Sequence, residues 1–281
     1  MRKAVAGTAL GAAAARAAYL LLTRRPPREE KLWLRTNHRG EPVTLLEGPA
    51  FVAGAVTAVA VAPGVPARMR VAAVFAGTAA GALGAYDDLA GSGDSRGFKG
   101  HLTALARGEV TTGAVKILGI GAAGLVAAAI AGTKGRATAF DIVVNGVLVA
   151  GSANLANLFD LRPGRAIKVG ALAGLPGTLS GSAVAAAPFG AALALLPEDL
   201  GERAMLGDAG ANALGALLGL SAARLPRPVR LGLLTGVAAL NAASEVVSFT
   251  KVIQATPALR WADQLGRRPV AVPEARPTDT E

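Results

Sequence analysis

The chain is 281 residues long and 52% hydrophobic, with a net charge of +10 although charged residues make up only 17% of it. Soluble domains ordinarily hold about 25% charged residues, so this balance, with a mean hydropathy of +0.44, places the chain among integral membrane proteins. The absence of cysteine excludes disulfides, thiolate catalysis and cysteine-built zinc sites; two histidines, His38 and His101, are too few for a histidine-built metal centre, and basic residues scattered through short loops with only 11 aromatics argue against nucleic-acid binding.

A bilayer-crossing helix needs about 20 apolar residues. In chain order the apolar runs predict nine spans, near 4–22, 49–66, 70–86, 113–131, 138–157, 167–179, 181–197, 209–223 and 229–247. The first resembles a signal peptide, but Arg16 inside it and the more basic segment after it favour a retained helix. Gly174, Pro176, Gly177 and Gly181 break one long run into the sixth and seventh spans, joined by a tight turn. The 36 glycines suit helices packed closely in a membrane. Residues 1–247 thus form an all-α polytopic domain, and 248–281 a polar cytoplasmic tail. Trp261 anchors a short interfacial helix there, and Val272–Glu281 is expected to be disordered.

Basic residues orient the bundle. With the N-terminus outside, the cytoplasmic segments hold 19 lysines and arginines and the outer segments 9, including Arg224, Arg227 and Arg230. Three acidic sites then fall on the cytoplasmic face: Asp87-Asp88 after the third span, Asp160 after the fifth and Asp208 before the eighth. Carboxylates at a membrane boundary are costly, and three such sites suggest a divalent metal with phosphate chemistry.

Each motif also has an ordinary reading. Asp87 and Asp88 cannot both face one point, so one would ligate metal while the other holds a base or lysine; equally, they are solvated acids at a helix end. Lys99, His101, Arg107 and Lys116 either neutralise a diphosphate or reflect the inward bias of positive charge, and Thr111 or Thr112 could cap the next helix. Asn154, Asn157 and Asp160 share a helix face, suited to reading a nucleotide, supporting a metal ligand, or bonding between helices. Asp208, between Gly207 and Gly210, is either a helix N-cap or a metal ligand that presents phosphate to the same helix end.

In order and spacing, Arg35-Thr-Asn-His-Arg-Gly40, the Asp87-Asp88 segment, Asn154-x-x-Asn157-x-x-Asp160 and Gly207-Asp-Ala-Gly210 resemble the polyprenyl-phosphate N-acetylhexosamine-1-phosphate transferases. That family includes the phospho-N-acetylmuramoyl-pentapeptide transferase of peptidoglycan synthesis. The resemblance runs from about residue 33 to 250 and implies Mg²⁺-dependent transfer of a sugar-1-phosphate from a UDP-sugar to polyprenyl phosphate, releasing UMP, at the cytoplasmic face of the cell membrane during envelope glycan synthesis. It implies Asp208 as main Mg²⁺ ligand, and Asp87 and Asp88 in metal support and activation of the lipid phosphate, in an unsettled order. Asn37, Asn154, Asn157 and Asp160 would bind substrate, Lys99 and Lys116 would balance diphosphate charge, and Asp87 would be the second metal ligand. Partners are the two substrates and membrane lipid, with a homodimer left open.

The chain departs from the family where donors are read. Gly91 stands where a polar residue often follows the Asp pair, Leu161-Arg162-Pro163-Gly164 replaces Gly-x-Asp-Gly after Asp160, Met205 stands at a usual aromatic, and Ser248 to Arg268 lacks the family's histidine cluster. The alternative is a catalytically inactive relative, a membrane scaffold or lipid-precursor-binding protein.

Overall fold

The computed structural model describes residues 1–91, 100, 103–104, 106–132 and 138–269. Among them nine helices of 15 residues or more follow in chain order: α1 (Arg2–Arg24), α2 (Glu47–Val61), α3 (Ala67–Ala90), α4 (Thr112–Ala131), α5 (Ala139–Phe159), α6 (Arg165–Leu179), α7 (Ala183–Leu200), α8 (Gly207–Ser221) and α9 (Arg227–Ser244). Two short helices close the described chain, α10 (Phe249–Ala255) and α11 (Pro257–Gln264). Lys99, His101, Lys134, Arg136 and the Val272–Glu281 segment lie outside the described residues.

Each expected span has its helix, with ends shifted by a few residues. Five are long and apolar enough to cross a bilayer, α1, α3, α4, α5 and α7, and a sixth if α9 and α10, bent by 93°, count as one. The 15-residue helices α2, α6 and α8 reach only about 22 Å at 1.5 Å per residue, short of a hydrocarbon core about 30 Å thick. Two expectations change. The third helix runs on through Asp87 and Asp88, which occupy its last turn rather than the loop beyond; Ala-rich sequence propagates the helix, and Gly91 stops it. Asp208 is not an N-cap, because its own residue is already helical and Leu206 holds that position. The all-α expectation fits; the strands of the described residues are a short antiparallel hairpin, β1 (Leu34–Thr36) and β2 (Pro42–Thr44), between α1 and α2.

Helix α8 is the axis of the core. Leu214, Leu217 and Leu220, with Ala211, Ala213 and Ala216, are fully buried, and α3 and α5 make its most extensive contacts. Close approach depends on missing side chains. A Cβ on Gly84 of α3 would lie 2.2 Å from the Asp208 carbonyl oxygen, and one on Gly215 of α8 would lie 2.1 Å from the Ser152 carbonyl oxygen. Only glycine allows backbones to meet at that distance. Gly84 therefore brings the last turn of α3 against the first turn of α8.

Charge pairs fasten the periphery. Arg16 reaches Glu198 of α7 at 2.5 Å, which gives this arginine within α1 a partner. At the opposite end of α5, Arg230 is buried and donates to Asp141 (2.8 Å) and Asn145 (2.9 Å), while Arg227 lies over the Phe140 ring at 4.5 Å. Two of the three arginines Arg224, Arg227 and Arg230 thus pack between α5 and α9.

Candidate functional site

Four helix ends meet where α8 begins. Asp87 comes from the last turn of α3 and Lys116 from the second turn of α4, whose start is fixed by Thr111 accepting the Ala114 N–H at 3.1 Å. The Lys116 ammonium lies 2.5 Å from Asp87 Oδ2 and also donates to Asp208 Oδ2. All three side chains are largely buried, Lys116 at 11% exposure, Asp87 at 15% and Asp208 at 26%. Thr112 adds a hydrogen bond to Asp87.

The adjacent acids divide their work. Asp88 turns both oxygens onto the α8 backbone, Oδ1 accepting the Asp208 N–H (3.0 Å) and Oδ2 the Ala209 N–H (2.9 Å). It is the N-terminal cap of α8, delivered from another helix, and it satisfies two of the donors that a helix start leaves open. Arg35, in the hairpin, hydrogen-bonds the Asp88 carbonyl oxygen, tying the first-loop motif to the Asp-Asp segment. Gly207 allows the turn through a φ of +61°, and its N–H donates to Asp160. Asp160 caps the C-terminus of α5. Burial, then the nearby Asp199 and Asp208 carboxylates, push its carboxyl well above the usual range.

Two cavities adjoin these acids. The first, about 450 Å³, starts at Lys116 and runs between apolar walls of Ile117, Ile120, Ala150 and Gly151. Asn154 lines it, but its amide donates to Asn241 of α9 at 2.6 Å, so the interhelical reading of Asn154 is the one realised here. Asn212, also on this cavity, donates to the Asp208 carbonyl oxygen at 2.7 Å. The second cavity, about 250 Å³, has a mixed lining in which Asn37, His38, Asp160, Arg162 and Glu202 stand beside apolar residues such as Val43, Pro163 and Met205. Asn37 shapes the hairpin turn by accepting the N–H groups of Arg39 (2.8 Å) and Glu41 (2.9 Å), and donates to Glu202 at 2.9 Å. Asn157 lines neither.

The segment after α9 forms a strap that bonds to residues around the second cavity. Asp263 accepts two bonds from Arg165 (2.8 and 3.1 Å) and one from Arg267 (2.7 Å). Arg267 also donates to the Pro163 carbonyl oxygen at 2.9 Å. Phe249 stacks on Phe159 with ring centres 5.1 Å apart. Arg39 donates to the carbonyl oxygens of Arg268 (2.9 Å) and Pro269 (3.0 Å), and the Arg268 guanidinium holds Glu41 below the usual carboxylate range. Sequence reasoning missed this strap, Glu202 and Asn212; only the four-residue spacing from Asp208 pointed to Asn212.

Among the described residues no group of three or more histidine, aspartate and glutamate side chains is arranged to hold a metal. Two carboxylates, Asp87 and Asp208, converge on one cation, and that cation is Lys116. This donor set fits Mg²⁺, a hard ion that takes one or two carboxylates and completes its shell with water and substrate phosphate. No protein-family model matches the chain, and no curated protein matches it significantly.

Proposed function

We propose that the chain is a membrane-embedded transferase that moves a sugar-1-phosphate, of the N-acetylhexosamine type, from a UDP-sugar to polyprenyl phosphate in envelope glycan synthesis. The observation that carries this reading is the Asp87–Lys116–Asp208 cluster at the start of α8, with a mainly apolar cavity lined by its lysine and a second, smaller one lined in part by charged and amide side chains, Asp160 among them. A phosphate with a prenyl tail and a water-soluble nucleotide-sugar need adjoining compartments of these two characters.

In this reading nine helices cross the membrane, the shorter ones with their flanking segments, and the site faces the cytoplasm. The tail of the acceptor lies along the cavity walled by Ile117 and Ile120, and the donor enters beside Asn37 and Asp160. An acceptor phosphate oxygen bonds to the β-phosphorus, the bond from that phosphorus to the UMP oxygen breaks, and UMP leaves with the electron pair. A phosphate monoester is largely dianionic near neutral pH, so no proton has to be removed. The residues therefore position and neutralise, the main requirements of phosphoryl transfer. Asp208 and Asp87 would hold Mg²⁺, which when bound supplies neutralisation of diphosphate charge. Asp88 fixes the first turn of α8, whose N-terminal end favours anions, and Lys116 supplies a cation to phosphate.

The test is UMP release by the purified protein with Mg²⁺, undecaprenyl phosphate and a panel of UDP-sugars. Wild type releases UMP with at least one donor, and Asp208→Asn loses at least about 100-fold, the scale of removing a principal electrostatic contact in a transition state. One observation favours the second reading, a non-catalytic relative that binds lipid precursor: Lys116 already neutralises both acids, as an inert charge triad would. No release with any donor, together with lipid-phosphate binding unchanged in Asp208→Asn, selects that reading.

A further inference from the structure

Lys116 occupies one oxygen of each of the two carboxylates that the proposed function assigns to Mg²⁺. Its ammonium contacts Asp87 Oδ2 at 2.5 Å and Asp208 Oδ2. An ammonium and a divalent ion compete for those lone pairs, because a metal that takes them must displace the lysine or suffer its repulsion. Asp88 offers no substitute, since both its oxygens are engaged by backbone N–H groups of α8. Lysine carries its charge on a flexible four-carbon stem, and the 450 Å³ cavity that Lys116 lines leaves room beside it for the stem to turn. A displaced ammonium in a largely buried position needs another anion, since an unpaired buried charge is costly. The substrate phosphate is the anion that the proposed reaction brings there.

We propose that Lys116 is a resident cation that holds the Asp87–Asp208 pair until substrate arrives, and yields it to a divalent metal only when a phosphate group receives its ammonium. Metal and phosphate binding are thereby coupled through one side chain. The inference rests on the metal-site reading above and adds the order of events to it. Linkage makes the coupling reciprocal: phosphate raises metal affinity by the same factor that metal raises phosphate affinity.

The experiment titrates Mn²⁺, followed by its paramagnetic resonance signal, into the full chain in detergent, with and without farnesyl phosphate as a short polyprenyl phosphate. Wild type should bind Mn²⁺ weakly alone and at least about tenfold more tightly with farnesyl phosphate, a change of about 1.4 kcal/mol. Lys116→Gln should bind Mn²⁺ at least about tenfold more tightly than wild type without phosphate and gain little from it. Lys116→Arg, which keeps the charge, should retain the weak binding of wild type. Equal Mn²⁺ affinity in wild type and Lys116→Gln, or no effect of farnesyl phosphate on the wild type, would overturn the coupling while leaving the metal site in place. Absence of Mn²⁺ binding under every condition would overturn both. The wild-type arm decides the matter alone if Lys116→Gln does not fold.

Discussion

At the scale of residues, the adjacent Asp87 and Asp88 have opposite duties because a helix turns about 100° between them. Asp87 faces Lys116, and Asp88 faces the α8 backbone. The sequence offered both acids without saying which did what, since the partners lie about 30 to 120 positions away and meet only through helix packing such as the Gly84 contact with Asp208. Replacing Asp88 should therefore act through structure. Asp88→Ala is expected to cost about 1–2 kcal/mol of stability, the usual loss of an N-cap, and to lower Mn²⁺ affinity as the first turn of α8 frays. Asp88→Asn, which keeps one acceptor oxygen, should lose less of both. Denaturant unfolding alongside metal titration separates this from a ligand role, in which Asp88→Asn would abolish metal binding without loss of stability.

Among the elements, the helices were legible because apolar runs broken by Pro, Gly and charge mark their own ends, and all nine long helices lie within a few residues of the expected spans. What escaped was either very short or made by contacts distant in sequence. The hairpin strands are three residues each and too short for an alternating pattern, although Asn37 and Gly40 carry turn chemistry. The strap is polar and arginine-rich, which reads as a free tail until Asp263 is seen between Arg165 and Arg267. Arg165 is almost wholly buried and anchors the strap. Arg165→Ala should release it, and limited trypsin digestion should then cut at Lys251 and Arg260 several-fold faster than in wild type. Unchanged cleavage would mean that the contacts from Arg39 and Arg268 hold the strap unaided.

For the whole molecule, the excess of basic residues in one set of connecting segments predicts that this set faces the cytoplasm, and Arg230, on the other side of the count, is buried against Asp141 and Asn145. The absence of cysteine makes that orientation simple to measure. A cysteine at Glu29 should react with an impermeant maleimide only from the cytoplasmic side, and one at Arg68 only from the outside; labelling of both from one side would refute the orientation. The central claim is that phosphate travels with the sugar. Its most direct test is a UDP-sugar carrying ³²P in the β-phosphate and tritium in the sugar, incubated with the protein, Mg²⁺ and undecaprenyl phosphate in liposomes. The account predicts both labels in the lipid fraction in equal amounts, with neither entering for Asp208→Asn. Tritium in the lipid without ³²P, or both labels remaining in water for every donor, would contradict it.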